Sequence, residues 1–217
     1  MHIAVCLKHV PDQATVEVDP LTGAIDERRL LYVTNPADEA ALELALRLRS
    51  NADTLRALTV GPSRADAVLR AALAVGADHV LRVWDERRAE TTPAMTAMLL
   101  AAALRADGLP DLILCGTRST DQGSGQVPAL LGEYLGWPAV TDVTRVETRQ
   151  GGALLQRRLD RGAREEVDVA LPAVLALDPG IARLRYASLP GLMAAQRATV
   201  PIRGPADLGL AAADLYF

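Results

Sequence analysis

Residues Asp111 to Val143 read DLILCGTRSTDQGSGQVPALLGEYLGWPAVTDV. The run Leu112 to Cys115 is apolar at every position and then stops in a turn of Gly, Thr, Ser and Asp. An uninterrupted apolar run of this length predicts a strand covered on both faces, as in a parallel sheet. From about Gly125 to Leu135 the spacing turns helical, and Gly136-Trp137-Pro138 supplies the stop. Strand, glycine-rich loop and helix together form the repeating unit of open α/β sheets.

The same alternation extends in both directions. Upstream, Ile3 to Leu7, Leu55 to Val60 and Val80 to Val83 read as strands. Helices are expected over Ala37 to Arg49, Arg64 to Val75 and Pro93 to Arg105. Asn35-Pro36 places a capping residue and an N1 proline before the first helix, and Gly76 ends the second. Val10 to Leu31 is irregular, with room for a short hairpin. Downstream, Leu154 to Leu159 and Glu166 to Ala170 form a hairpin about Arg161-Gly162, and Ala173 to Leu177 is a further buried strand. From Asp178 the chain is rich in Pro and Gly and reads as a mostly irregular arm. The expected fold is therefore α/β and Rossmann-like: a mostly parallel sheet with helices on both faces, a β-hairpin and an irregular C-terminal arm. The boundary is expected near residue 180, with 1–180 as the α/β domain and 181–217 as a loop and short arm.

Composition narrows the function. Of 217 residues, 50% are hydrophobic and only 3% aromatic, so Leu, Val, Ile and Ala must build the core. The net charge of −4 lacks the basic footprint of nucleic-acid binders. Scarce aromatics also argue against single-strand stacking. Cys6 and Cys115 lie in apolar runs, with no CxxC pair and no disulfide framework, which fits a reducing, cytoplasmic location. MHIAVCLKHV enters a strand at once and lacks a signal peptide's pattern, and no apolar run approaches the length of a membrane span.

In open parallel sheets ligands bind beyond the carboxyl ends of the strands. Three loops are candidates there. Cys115 to Pro128 offers small residues through which backbone N–H groups can approach a phosphate, next to a helix N-terminus. It is neither a Walker loop nor a GxGxxG, and a tight strand-to-helix turn would need similar residues. Asn35 to Asp38 and Gly61-Pro62-Ser63 each begin a helix, and each could be no more than a good cap. Occurring together, the three favour a nucleotide site. Catalytic groups are sparse. His2, His9 and His79 are separated from one another and from the main loop, no serine sits in a nucleophile elbow, and no lysine is visible beside the loop. Asp121, the lone carboxylate of that loop, reads as a hydrogen-bond acceptor for a ribose or the backbone. Binding is favoured over catalysis.

Several segments together resemble the electron-transferring flavoprotein β subunit family: VCLKHVPD (Val5 to Asp12), NPADEAALELALRLR (Asn35 to Arg49), LTVGPSRADAVLRAALAVGADHVLRV (Leu58 to Val83), the stretch quoted first, and LPAVLALDPGIARLRYASLPGLMAA (Leu171 to Ala195). The RYASLPGLMAA segment is the most specific. The resemblance implies a heterodimer with an α subunit that carries most of a redox FAD, with a structural AMP in the β subunit. By position the AMP contacts are Cys6; Asn35, Pro36, Ala37 and Asp38; Val60 and Gly61; and Ser119, Thr120, Asp121, Gln122, Gly123, Ser124, Gly125, Gln126 and Val127. It further implies that Tyr186, Leu189, Pro190 and Met193 dock acyl-CoA-type dehydrogenases, with Leu189 as the anchor. Electrons would pass through the α-bound FAD to a membrane quinone reductase, and the chain would have no catalytic residues and no metal.

Two departures stand out. Arg161 occupies a position where the family usually has Gly, which implies a modified hairpin tip. Many members also continue beyond the equivalent of Phe217 into an arm around the α subunit. Some relatives bind a second FAD in place of AMP and bifurcate electrons, and these carry a threonine pair near the helix before the main loop. Here the aligned residues are Thr96 and Pro93. A stand-alone universal-stress-like nucleotide-binding protein would share the architecture but would have no use for a docking segment. A nucleotide hydrolase would need an acid–base pair or a phosphate-activating lysine beside the loop.

Overall fold

Successive side chains of the first strand, β1 (His2–Cys6), enter two different cores. Ile3 and Val5 pack on one side, Ala4 and Cys6 on the other. This period of two is what a strand buried on both faces requires. The computed structural model describes residues 1–86 and 90–211. The end of the expected arm, up to Phe217, lies outside the described residues.

β1 leads into β2 (His9–Pro11), which pairs antiparallel with β3 (Tyr32–Thr34) at the base of a long excursion. Val18 bridges Ile25 within it, so the hairpin expected in this region spans nearly the whole segment. Next come α1 (Pro36–Leu48), β4 (Thr54–Val60), α2 (Asp66–Val75), β5 (His79–Val83), α3 (Pro93–Ala106), β6 (Leu112–Gly116) and α4 (Val127–Leu135). β7 (Ala139–Arg149), β8 (Gly152–Arg158) and β9 (Arg164–Ala170) form a meander. β10 (Ala173–Leu177), α5 (Leu189–Arg197) and β11 (Ile202–Arg203) complete the described chain.

Among the described residues the main sheet has nine strands in the order β11-β5-β4-β1-β6-β10-β7-β8-β9. All pairs are parallel from β11 to β7, and the last two are antiparallel. α1 and α2 cover one face through Leu42, Ala45, Leu69 and Ala72. α3 and α4 cover the other through Leu99, Leu100, Leu104 and Leu131. Each fully buried Leu contributes roughly 1.5–3 kcal/mol of hydrophobic stabilisation, so two such layers build a core that needs few aromatics. The chain winds outward from β1 through β4 to β5, then crosses to β6. The reversal leaves a crevice between the carboxyl ends of β1 and β6.

Three elements differ from the expectations. β7 has no counterpart in the sequence reading. Asp142 sits at φ 56 in a bulge, so the buried Val140 and Val143 are three residues apart and the period of two is lost. The helix after the glycine-rich loop starts at Val127, because Gly125 at φ 63 still belongs to the turn. Among its described residues the arm is irregular except for α5, β11 and a 3-10 turn at Ala206–Leu208, and β11 extends the sheet beside β5. At the hairpin tip Arg161 adopts φ 60, the left-handed conformation that glycine takes most readily.

Candidate functional site

Asp38, in the first turn of α1, is only 5% exposed. Its Oδ2 accepts the Lys8 N–H at 2.7 Å and its Oδ1 the Gly116 N–H at 2.8 Å. One carboxyl thus ties α1 to the chain leaving β1 and to the end of β6. Burial raises its pKa to about 7, against the opposing pull of those N–H donors, Asn35 and the Lys8 charge. Gly116 is required here, because a Cβ would meet Asp38 and the Ala37 side chain below contact distance.

Asn35 stands at the N-cap position but makes no side-chain cap bond. Its amide reaches the glycine-rich loop instead: Nδ2 donates to the Arg118 carbonyl at 3.0 Å and Oδ1 accepts the Thr120 N–H at 3.2 Å. The expected helix cap is therefore a loop clamp. In sequence no lysine lies at this loop. The fold brings one there, since Lys8 Nζ lies 2.7 Å from Asp121 and 3.3 Å from Ser119 Oγ. Partial burial opposes ionisation of Asp121, but the hydrogen bond from Lys8, aided by Ser119 and the Gln122 N–H, holds its carboxyl below the ordinary value. Lys8 was legible in principle, because the residue just after a strand's carboxyl end sits at the ligand edge of such a sheet.

These groups border a cavity of about 320 Å³ at the β1–β6 crevice. Cys6, Leu58, Val60, Leu100 and Cys115 give it an apolar side. Gly61 enters from the second βα turn, and Asn35 and Asp38 from the first. Ser119, Asp121, Gln122, Ser124, Gly125, Gln126 and Val127 form the opposite lip. Gln126 places no side-chain cap on α4, so the first-turn N–H groups of Val127 and Ala129 lack intrahelical acceptors and face an end that favours anions. Cys115 is hydrogen-bonded with Cys6 and fully enclosed, and both effects push its thiol pKa well up, which keeps it protonated.

Four expected residues lie elsewhere. Pro36, Ala37 and Thr120 border a separate polar groove on the far side of the loop, shared with Asp142, Arg158 and Asp178. Gly123, at φ 64, donates its N–H to the Ser119 carbonyl at 3.1 Å and shapes the turn. His9, remote from the main loop in sequence, reaches the cavity rim, where its ring lies 5.1 Å from that of Tyr32 and Arg64 stacks 4.7 Å over the same tyrosine. Burial, then Arg64, lowers the His9 pKa and favours the neutral imidazole. Among the described residues no cluster of three or more His, Cys, Asp or Glu could hold a metal.

The expected docking residues form an exposed apolar surface. Tyr186 is 90% exposed and Leu189 71%, with Pro190, Leu192 and Met193 beside them. Ser188 caps α5 by accepting the Gly191 N–H at 3.2 Å, and Pro190 falls in its first turn. That Ser-Leu-Pro start was a readable helix signal. α5 lies close on α2: a Cβ on Gly191 would come 2.4 Å from the Ala74 carbonyl oxygen. Arg70 Nη1 donates to the carbonyls of Ala195 and Ala198 at 2.7 and 2.9 Å, closing the far end of α5.

Fold and cavity together define an α/β protein of the class that takes its ligand at the switch point of a parallel sheet. Comparison with known proteins narrows this. The Electron transfer flavoprotein domain family matches residues 22–208, and the chain belongs to that family. It is 34% identical to the Electron transfer flavoprotein subunit beta of Methylophilus methylotrophus, over 88% of this chain and 74% of that one. It is 36% identical to the mitochondrial Electron transfer flavoprotein subunit beta of Oryza sativa subsp. japonica, over 96% and 83%. It is 32% identical to the Caffeyl-CoA reductase-Etf complex subunit CarD of Acetobacterium woodii, over 97% and 80%.

Proposed function

We propose that this chain is the β subunit of a heterodimeric electron-transferring flavoprotein. It holds AMP structurally and passes electrons from acyl-CoA-type dehydrogenases, through FAD on an α subunit, to a membrane quinone reductase. The observation that carries the reading is the cavity at the β1–β6 crevice, apolar on one side and bounded on the other by the uncapped start of α4. A purine suits the side built by Cys6, Leu58, Val60 and Cys115. A phosphate suits the N–H group of Val127 at the start of α4 and the small residues Ser124 and Gly125. Lys8 is neutralised by Asp121, and Asp38 is engaged by two backbone N–H groups, so neither is free for acid–base work. Such a chain binds and orients, while the flavin supplies the redox chemistry when bound.

One observation favours a second reading, a bifurcating subunit with a second FAD in place of AMP. The cavity extends to Thr91 and Thr96 at the start of α3, whose hydroxyls lie 3.0 Å apart. The test is to purify the chain with its α subunit, denature the complex and identify the released nucleotides. One FAD and one AMP per heterodimer is the expected result. Two FADs would replace the AMP assignment, and no flavin with no stable partner would return the chain to the stand-alone nucleotide-binding class.

A further inference from the structure

Glu43 lies in the middle of α1, away from the cavity, and is only 3% exposed. A buried carboxylate is costly to desolvate unless its oxygens are well engaged. Most of its partners belong to one residue far along the chain. Oε2 accepts the Arg185 backbone N–H at 3.1 Å and its Nε at 2.9 Å, and Oε1 accepts Arg185 Nη2 at 3.1 Å. Arg47, a turn away, donates Nε to Oε1 at 2.7 Å. A planar guanidinium fork with an added backbone bond fixes orientation as well as position.

Arg185 directly precedes the exposed Tyr186, and Ser188, the cap of α5, directly precedes the exposed Leu189. α5 is itself seated on α2 through Gly191 and Arg70. The short segment between Arg185 and Ser188 is therefore held at both ends, and its upstream anchor is Glu43. We infer that Glu43 is a positioning residue for partner docking: its grip on Arg185 presents Tyr186 and Leu189 in the binding conformation before a dehydrogenase arrives. The inference rests on the dehydrogenase-docking role that the family resemblance implies for this segment and on the electron-transfer function proposed above.

The test uses the assembled heterodimer as electron acceptor for an acyl-CoA dehydrogenase supplied with its acyl-CoA, at varied heterodimer concentration. Glu43→Gln and Arg185→Lys are each expected to raise the KM for the heterodimer about tenfold, the cost of ordering a docking segment during binding rather than beforehand. kcat should stay unchanged. Arg47→Ala, which loses a partner of the same carboxylate but none of the segment, should stay within about twofold of the parent. Amide exchange over residues 185–187 should quicken in Glu43→Gln. Combined with Leu189→Ala, Glu43→Gln should add nothing to the KM. An unchanged KM in Leu189→Ala would remove the docking role itself. A raised KM in Leu189→Ala, with Glu43→Gln and Arg185→Lys at parental values, would overturn the role of Glu43 alone. Should Glu43→Gln fail to assemble, Arg185→Lys decides, because Arg185 is half-exposed and the substitution keeps a positive charge beside Glu43.

Discussion

The Asp38 carboxylate accepts the Gly116 N–H at 2.8 Å, and a Cβ on Gly116 would fall 2.3 Å from that same oxygen. The two residues lie on different elements, yet the approach of α1 to the end of β6 is set by the absence of one methyl group. The Ala37 side chain, 2.7 Å from the same point, blocks escape in its direction. Gly116→Ala is expected to destabilise the fold by about 1–3 kcal/mol through overpacking. A lower urea midpoint with an unchanged m-value would show it, and nucleotide affinity should fall in parallel, since Gly116 also lines the cavity.

Asp38 makes part of the stability pH-dependent. Its pKa in the fold is about 7, against an ordinary 3.8, so between these values the folded chain binds more protons than the unfolded one. The contribution of this group is therefore full below about pH 4 and is lost as pH rises through 7. Carbon-13 titration of the Asp38 carboxyl should give a midpoint near 7. A midpoint near 4 would show that the two backbone N–H donors outweigh burial.

Lys8 draws Ser119 and Asp121 toward the end of β1 through a single ammonium. Lys8→Ala should loosen this lip of the cavity and leave Asp121 facing it unpaired. AMP affinity of the stripped heterodimer is expected to drop about tenfold, equivalent to about 1.4 kcal/mol. The melting temperature should hardly move, because the ammonium is partly exposed and such pairs contribute little to folding. Calorimetric titration with AMP gives the first quantity and a thermal scan the second.

Leu189 is 71% exposed. Leu189→Ala should leave folding and flavin content intact while slowing dehydrogenase-driven flavin reduction at sub-saturating flavoprotein by about tenfold, the loss typical of a central anchoring side chain. Stopped-flow absorbance of the flavin measures it. A rate equal to the parent's would assign the exposed leucine to ordinary surface.

The parallel sheet was legible because its central strands β6 and β10 are apolar throughout and its helices carry periodic Ala and Leu. Ile113, Leu114 and Cys115 have that character, and each is buried. β7 was hidden by the Asp142 bulge, which sets its buried valines at a spacing that belongs to neither strand nor helix. At the site, sequence order revealed the loops but not their cross-links. Lys8 and Asp121 are 113 positions apart and Asn35 and Thr120 are 85, so no local pattern reports that they touch. The buried charge of Glu43 was hidden in the same way, since its main partner Arg185 lies 142 positions further along the chain.

The two borders of the sheet are unlike each other, yet both discourage a further strand. On one side β11 is only two residues long. On the other, β9 runs Arg164-Glu165-Glu166-Val167-Asp168 and bristles with charge. A long, bare, apolar edge invites the edge of another copy, and short or charged edges are the usual protection against fibres. Every newly made chain displays these borders, and if it must wait for a partner before it becomes useful, they let it wait without polymerising.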